Sequence, residues 1–341
     1  TKKVEASLAT VRDDSSVVIA SVARDLSEPR MLLVLGRRLA NIIPTMLAVV
    51  ALVFLLFSVL PGSFISGMNE DGRSTIDPAV MERMRKEMGL DDPLVERFAK
   101  YVAATATGDL GISFRTREPV TKMLAVRIWP SLKLVLAAMT FAILVGVTLG
   151  FLAALKPGSL IDTAAMVGAI SGLSLSQFWF GLMLMYLFAL KLQWLPSFGY
   201  GDGGLRNLIL PAIALGVGPM ALLARTTRAA VLDVLNADFV RTARSKGMSE
   251  RRVVEWHVLR NALVLVITIV GLQFGSLMGQ AVVVEKLFAW PGVGSLMVDS
   301  VFQRDMPTVQ GCILMIVLFF LVINTLVDIA YVVIDPRIRY R

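Results

Sequence analysis

The chain has 341 residues, 56% apolar and only 18% charged, with a mean hydropathy of +0.70. A soluble domain carries about a quarter charged residues, so the composition excludes an ordinary soluble enzyme and points to a membrane protein. The formal charge of +8 does not call for nucleic acid. Its basic residues stand beside apolar runs, where anionic lipid and membrane topology account for them. One cysteine, Cys312, and one histidine, His257, exclude an intrachain disulfide, a thiolate metal centre and the two-histidine metalloprotease helix.

Residues 1 to about 30 are polar and of mixed charge apart from an apolar patch at Val17 to Val22, and read as a flexible cytosolic tail. No small-residue cleavage site follows the first long apolar run, so a secretory signal is not expected. Arg37 and Arg38 precede a first span at about Ile42 to Leu60, with Pro44 near its start, where proline is least disruptive. Residues 62–131 form one large polar insertion. Within it Asp77-Pro78 and Asp92-Pro93 read as helix starts and Gly89 as a stop, giving a small helical subdomain. Such a fragment has little core of its own and must lean on the membrane domain.

Five more spans follow at about 132–155, 164–190, 208–226, 262–284 and 309–333, each near the ~20 residues a bilayer requires. The expected class is therefore an all-α membrane protein with six transmembrane helices and both ends on one side. Lys and Arg choose the side. The short connections on one face hold twelve of them (Lys156, eight from Arg225 to Arg260, and Arg337, Arg339 and Arg341). The other face holds four, Lys191, Arg206, Lys286 and Arg304. The rich side is cytoplasmic, which puts both termini inside and the 62–131 insertion outside.

The residues between the fourth and fifth spans (229–262) have internal form. Phe239, Val240 and Ala243 share a helical face, Gly247 suits a helix end with positive φ, and Ser249 can cap a second helix. Arg252 stands where a capping box would place Glu. Helix, glycine turn, helix describes a folded knob on the cytoplasmic surface; the plainer reading is a solvated loop that only fixes topology.

Gly271, Gly275 and Gly279 recur at every fourth residue, and Gly146/Gly150 and Gly168/Gly172 repeat the spacing. Small residues permit the close backbone approach on which helix association in lipid depends. The stripe marks 262–284 as a span facing another subunit or a pathway. Polar residues inside spans are few: Gln273, Gln280, Asn324 and Asp328. An intramembrane acid is a functional candidate, but Asp328 sits one turn beyond Asn324 near the cytoplasmic end, where a structural hydrogen bond is the simpler role.

Catalytic signatures are missing. The chain contains no Gly-Lys pair and hence no P-loop. Gly199-Tyr200-Gly201-Asp202 matches the GxGD element of intramembrane aspartyl proteases only superficially, because that chemistry needs two carboxylates sharing one site. His257 lies in the knob, away from any serine nucleophile arrangement. Neither an inverted repeat nor a broken midplane helix lined by ionisable groups is apparent, which argues against a stand-alone channel or secondary transporter.

The segment Arg241-Thr242-Ala243-Arg244-Ser245-Lys246-Gly247-Met248-Ser249-Glu250-Arg251, followed by His257-Val-Leu-Arg-Asn-Ala-Leu263, closely resembles the cytoplasmic "EAA" loop of ABC-importer permeases of the dipeptide/oligopeptide/nickel branch. Arg241-Thr242-Ala243 stands in place of Glu-Ala-Ala. The resemblance continues in Arg37-Arg38 with Ile43-Pro44, Gly89-Leu-Asp with Pro93, Gly108-Asp-Leu-Gly111, Trp194-Leu-Pro196 and Phe288-Ala-Trp-Pro-Gly-Val-Gly294. It closes with Arg304-Asp305, Pro307, Val309-Gln310-Gly311 and Asp335-Pro-Arg-Ile-Arg-Tyr340, covering about residues 31 to 340. Leu265 departs from the proline the family carries soon after Arg-Asn-Ala, and the N-terminal tail is longer than usual.

This resemblance implies the type I importer permease fold in a bacterial inner membrane. It implies a second homologous permease, two cytosolic ATPase subunits that bind the ATP and Mg, and an extracytoplasmic substrate-binding protein. This chain would hold no cofactor or metal. Asp238, Arg241, Thr242, Ala243, Arg244, Lys246, Gly247, Met248, Ser249, Glu250 and Arg251 would form the coupling helix, with Ala243 and Met248 on the apolar side of the ATPase contact. The substrate class implied is di- or oligopeptides, with nickel chelates, glutathione and oligosaccharides as alternatives.

Overall fold

The computed structural model describes residues 29–59, 92–201 and 203–334, with side chains over 42–58, 92–201 and 203–327. Ten helices cover them: α1 (Pro29–Val59), α2 (Leu94–Ala106), α3 (Val120–Leu155), α4 (Leu160–Ser174), α5 (Gln177–Lys191), α6 (Leu205–Leu235), α7 (Asp238–Ser245), α8 (Glu250–Leu287), α9 (Val293–Phe302) and α10 (Met306–Ile334). Among the described residues the β content is one isolated bridge, Ile112 to Pro119. Four helices, α3, α6, α8 and α10, are long and apolar enough to cross a membrane, and the α4–α5 pair makes a fifth if it is one span. The apolar stretch described in α1, Ile42–Ser58, is shorter than these four.

Helix α6 is the centre, with 67% of its most apolar window buried. Helix α3 lies on it in parallel: a Cβ on Gly146 would stand 2.5 Å from the Met220 carbonyl oxygen, Gly150 abuts the Ala224 carbonyl, and Gly216 of α6 faces Ala138. Helix α4 runs antiparallel along the same helix, Gly172 meeting Ala221 and Val217. Here the small-residue spacing does what close approach in lipid requires. Pro130 inside α3 and Pro211 and Pro219 inside α6 are all buried within the bundle.

The sequence expectations need several corrections. Pro44 lies in the middle of α1, not near its start, because that helix begins at Pro29. Helix α3 starts at Val120, inside the region assigned to the polar insertion, and α6 continues through Arg225 and Arg228 to Leu235. These helices outrun their apolar runs because backbone hydrogen bonding continues after lipid contact ends. The expected span 164–190 is broken: α4 and α5 meet at Leu175-Ser176 with a bend of 110°. A broken helix is therefore present where a continuous span was expected, with the uncharged Gln177 and Gln280 beside the break. Finally, α9 is a short apolar helix where the sequence suggested only a connection.

The start at Asp92-Pro93 is observed with a different cap. Glu96 N–H donates to the Pro93 carbonyl, while Asp92 accepts from Lys100 Nζ at 2.7 Å. The start at Asp77-Pro78 and the stop at Gly89 lie outside the described residues. Helix α2 does lean on the membrane helices: Phe54 of α1 packs against Phe98 and Tyr101, ring centroids 5.3 and 5.7 Å apart.

Candidate functional site: a basic knob and its mount

Residues 236–249 leave α6, form α7 and turn back into α8. Val240 and Ala243 of α7 are buried among Ala154, Ala230, Val231, Val253, Val258 and Ala262, with Met248 packed at the edge. Phe239 is 47% exposed, against the expected shared face. Adjacent helical residues point about 100° apart, so Val240 takes the inward position and Phe239 turns out. The burial of Ala243 likewise corrects the expectation that it reaches a partner. Ala243 and Met248 anchor the knob to its own subunit.

The turn closes by backbone bonds. Gly247 N–H donates to the Arg244 carbonyl at 3.0 Å and Met248 N–H to the Ala243 carbonyl at 3.4 Å. Gly247 has φ +78°, and an added Cβ there would meet nothing within 4 Å. The glycine is needed for its backbone, not for space. Ser249 occupies the N-cap position of α8, but its hydroxyl makes no capping bond. The helix it opens is long, not the second short one expected. Helix α8 runs unbroken, through a π-helical turn at Val254–Leu259, into the membrane span.

Arg244 forks onto Glu250 across the turn, Nε to Oε2 at 3.1 Å and Nη2 to Oε1 at 2.7 Å. Arg251 pairs with Glu255 at 2.8 Å and Arg241 stands 4.0 Å from Asp238. Both hydroxyls of α7 bond back one turn, Thr242 to the Asp238 carbonyl at 2.9 Å and Ser245 to the Arg241 carbonyl at 3.0 Å. Lys246 is exposed at the tip. These ion pairs are exposed and add little stability, but they hold charge in place on the outer face. That face presents Phe239, Arg241, Thr242, Ser245 and Lys246, with Trp256, 62% exposed, on the adjacent turn of α8.

The mount reaches into the bundle. Asp162 at the start of α4 is buried and accepts from Arg228 of α6 through Nε at 2.5 Å and Nη2 at 2.7 Å. Gly158 N–H also donates to it, at 2.9 Å. This fork ties α4 to the last turns of α6, two turns before the knob.

The other residues singled out in the sequence are not brought into one array. Gly275 faces α10, where an added Cβ would lie 2.7 Å from Asn324 Oδ1 and 3.2 Å from Phe320 Cε2. Gly271 is buried, whereas Gly279 is exposed and meets nothing within 4 Å. The register therefore splits between a packing face and an open one. Gln273 accepts from the Ser276 hydroxyl through its main-chain carbonyl, and Gln280 accepts from Gln177 at the α4–α5 break at 2.8 Å. The Asp328 side chain lies outside the described residues, as do Asp202 and the closing segment from Asp335.

Sequence reasoning missed Asp162 and a second buried acid, Glu285. Glu285 of α8 is 1% exposed. Its carboxylate accepts from Ser131 Oγ at 2.6 Å, from Ser295 N–H at 3.0 Å and from Gly294 N–H. A side chain on Gly292 would overlap this carboxylate. Trp290, fully buried, donates to the Pro130 carbonyl at 2.9 Å. The Trp290-Pro-Gly-Val-Gly294 motif thus wraps a carboxylate at the end of α8 opposite the knob. The signal was its position just before those glycines. Asp305 does comparable work beside it, accepting from Ser113 Oγ at 2.5 Å, Thr308 Oγ1 at 2.7 Å and Phe114 N–H at 3.0 Å.

Residues 146–340 match the family described as binding-protein-dependent transport system inner membrane component, and residues 31–137 match its N-terminal companion. The chain is 44% identical over 305 residues to the glutathione transport system permease protein GsiC of Pectobacterium atrosepticum, covering 89% of this chain and 98% of that protein. Escherichia coli K12 GsiC is 42% identical over 308 residues at the same coverage. The inward-facing MetNI methionine ABC transporter superposes with a TM-score of 0.52 at 17% identity, over 62% of this chain and 96% of that one. An amino acid ABC transporter gives 0.50 at 16% identity, over 62% and 94%. At these identities the structural likeness carries the fold alone. The two family matches and the GsiC identities carry the rest: the chain belongs to the binding-protein-dependent transport system inner membrane components, the permease subunits of ABC importers.

Proposed function

We propose that this permease is one of two homologous subunits forming the membrane path of an importer for short peptides, glutathione foremost, and that α7 with its turn is the handle worked by a cytosolic ATPase. The single observation that carries the handle is the two-sidedness of the knob. Val240 and Ala243 fix it to the bundle while Phe239, Arg241, Thr242, Ser245 and Lys246 are left outward. The excess of Lys and Arg on this side supports a cytoplasmic placement with both termini inside. ATP and Mg would be bound by two partner ATPases, since the sequence has no Gly-Lys pair from which to build a P-loop. A binding protein would dock on the opposite face, beside the Asp305-braced loop and α2. The glutathione relatives support the substrate class. A rigid handle continuous with α6 and α8 lets ATP-driven closure bias a two-state membrane domain.

The test is site-directed cross-linking in the assembled complex, starting from a Cys312→Ser background. A cysteine at Lys246 or Thr242 is expected to cross-link to an ATPase subunit, while one at Ala243 does not. Cross-linking at Ala243 but not at Lys246 would overturn the assignment of faces, and none at any position would overturn the handle.

A further inference from the structure

The break between α4 and α5 puts polar groups where a bilayer allows few. Leu175 and Ser176 have extended backbone, and the Ser176 side chain does not cap α5. The break lies between the ends of the bundle, on its exposed surface. Three residues before it Gly172 faces Ala221 and Val217 on α6, and five residues after it Gly181 reaches Leu287 and Phe288 at the far end of α8. Non-helical backbone at membrane depth survives only when it is buried in protein or lines water. Leu175 and Ser176 are exposed in this subunit. Beside them Gln177 Nε2 donates to Gln280 Oε1 at 2.8 Å, and Gln280 Nε2 donates to Ser276 Oγ at 3.2 Å. The chain of bonds uses one hydrogen of each amide. Gln177 Oε1 has no donor among the described residues. Whichever way each amide is turned, the pair keeps a donor and an acceptor free. Gly279, next to Gln280, opens onto empty space.

We propose that Gln177 and Gln280 form a station in the translocation path that hydrogen-bonds the backbone amides of the passing peptide. A carboxamide matches a peptide group in having one carbonyl and N–H donors, and it carries no charge that would trap an ion in a low-dielectric path. Gly279 leaves room for the substrate's side chains. The inference rests on the peptide reading above, and its failure is separable from that reading.

The experiment is glutathione uptake by the reconstituted importer with its binding protein, alongside ATP hydrolysis and subunit stoichiometry. Losing one hydrogen bond to substrate corresponds to about tenfold in half-saturation or maximal uptake. Gln177→Leu and Gln280→Leu are expected to show that loss with assembly and hydrolysis retained. Gln280→Glu keeps the acceptor for Gln177 and adds a negative charge. It is expected to slow anionic glutathione more than the peptide Gly-Gly-Gly, a zwitterion of zero net charge. Unchanged uptake by all three variants, or equal slowing of both substrates by Gln280→Glu, would overturn the station. Disassembly in the Leu variants with unaltered selectivity in Gln280→Glu would show that the pair only holds helices together. If the unsubstituted complex moves neither peptide, the peptide reading itself fails.

Discussion

Gly275 and Gly279 share a sequence spacing but not an environment, and paired leucine substitutions separate them. At position 275 the first added carbon would lie 2.7 Å from Asn324 Oδ1 and 3.2 Å from Phe320, before three further carbons are placed. Overpacking of this kind costs about 1–3 kcal/mol. At 279 an added Cβ meets nothing within 4 Å. Replacing a helical glycine there gains up to about 1 kcal/mol from reduced backbone freedom. The two variants should therefore differ by about 1–4 kcal/mol, with opposite signs. Cys312 supplies the assay: it is the chain's single cysteine and fully buried. A thiol-reactive dye on the purified subunit in detergent then reports unfolding. Gly275→Leu should unfold at lower temperature than the parent and Gly279→Leu at equal or higher temperature. Equal losses at both positions would refute the split of the stripe into a packed and an open face.

Two of the buried carboxylates, Glu285 and Asp162, can be tested by substitution. Glu285→Ala strands the Ser131 hydroxyl and two N–H groups, each worth about 1–3 kcal/mol when left unsatisfied, and the melting temperature should fall accordingly. Gly292→Ala should also loosen this corner, and adding Glu285→Asp should partly restore the melting temperature by drawing the carboxylate back. At the other end, Arg228→Lys keeps the charge but loses the two-toothed grip on Asp162. Asp162→Ala also strands Gly158 N–H. Limited proteolysis between α3 and α4 should therefore rise more for Asp162→Ala than for Arg228→Lys.

The knob was legible in the sequence because its signals are local. Gly247 has the positive φ expected of a helix-ending glycine, and the apolar spacing of Val240 and Ala243 marks a helix with one buried side. The sequence could not say which partner that side meets, so Ala243 was turned toward another protein instead of toward Val253 and Ala262. The break at Leu175-Ser176 carries neither proline nor glycine, so nothing local announces it; tertiary packing of Gly172 and Gly181 against different neighbours sets the bend. Glu285 escaped notice for a related reason. Beside Lys286, at the end of an apolar run, it resembles a solvated end charge, and only the folding back of residues 290–295 encloses it. The composition and the Lys/Arg distribution, by contrast, needed no tertiary information.

The central claim is that the knob transmits ATP hydrolysis to the path, and Gly247 is where it can be tested without touching a span. A valine at φ +78° is strained by roughly 1–2 kcal/mol or more, since left-handed backbone disfavours a branched Cβ. Gly247→Val should leave insertion and subunit stoichiometry intact while changing the angle between α7 and α8. The decisive measurement is the ratio of glutathione imported to ATP hydrolysed in proteoliposomes containing the whole importer. The account predicts that this ratio falls sharply for Gly247→Val, with the ATPases still bound and hydrolysing ATP without transport. An unchanged ratio with normal uptake would mean that the knob only anchors the topology.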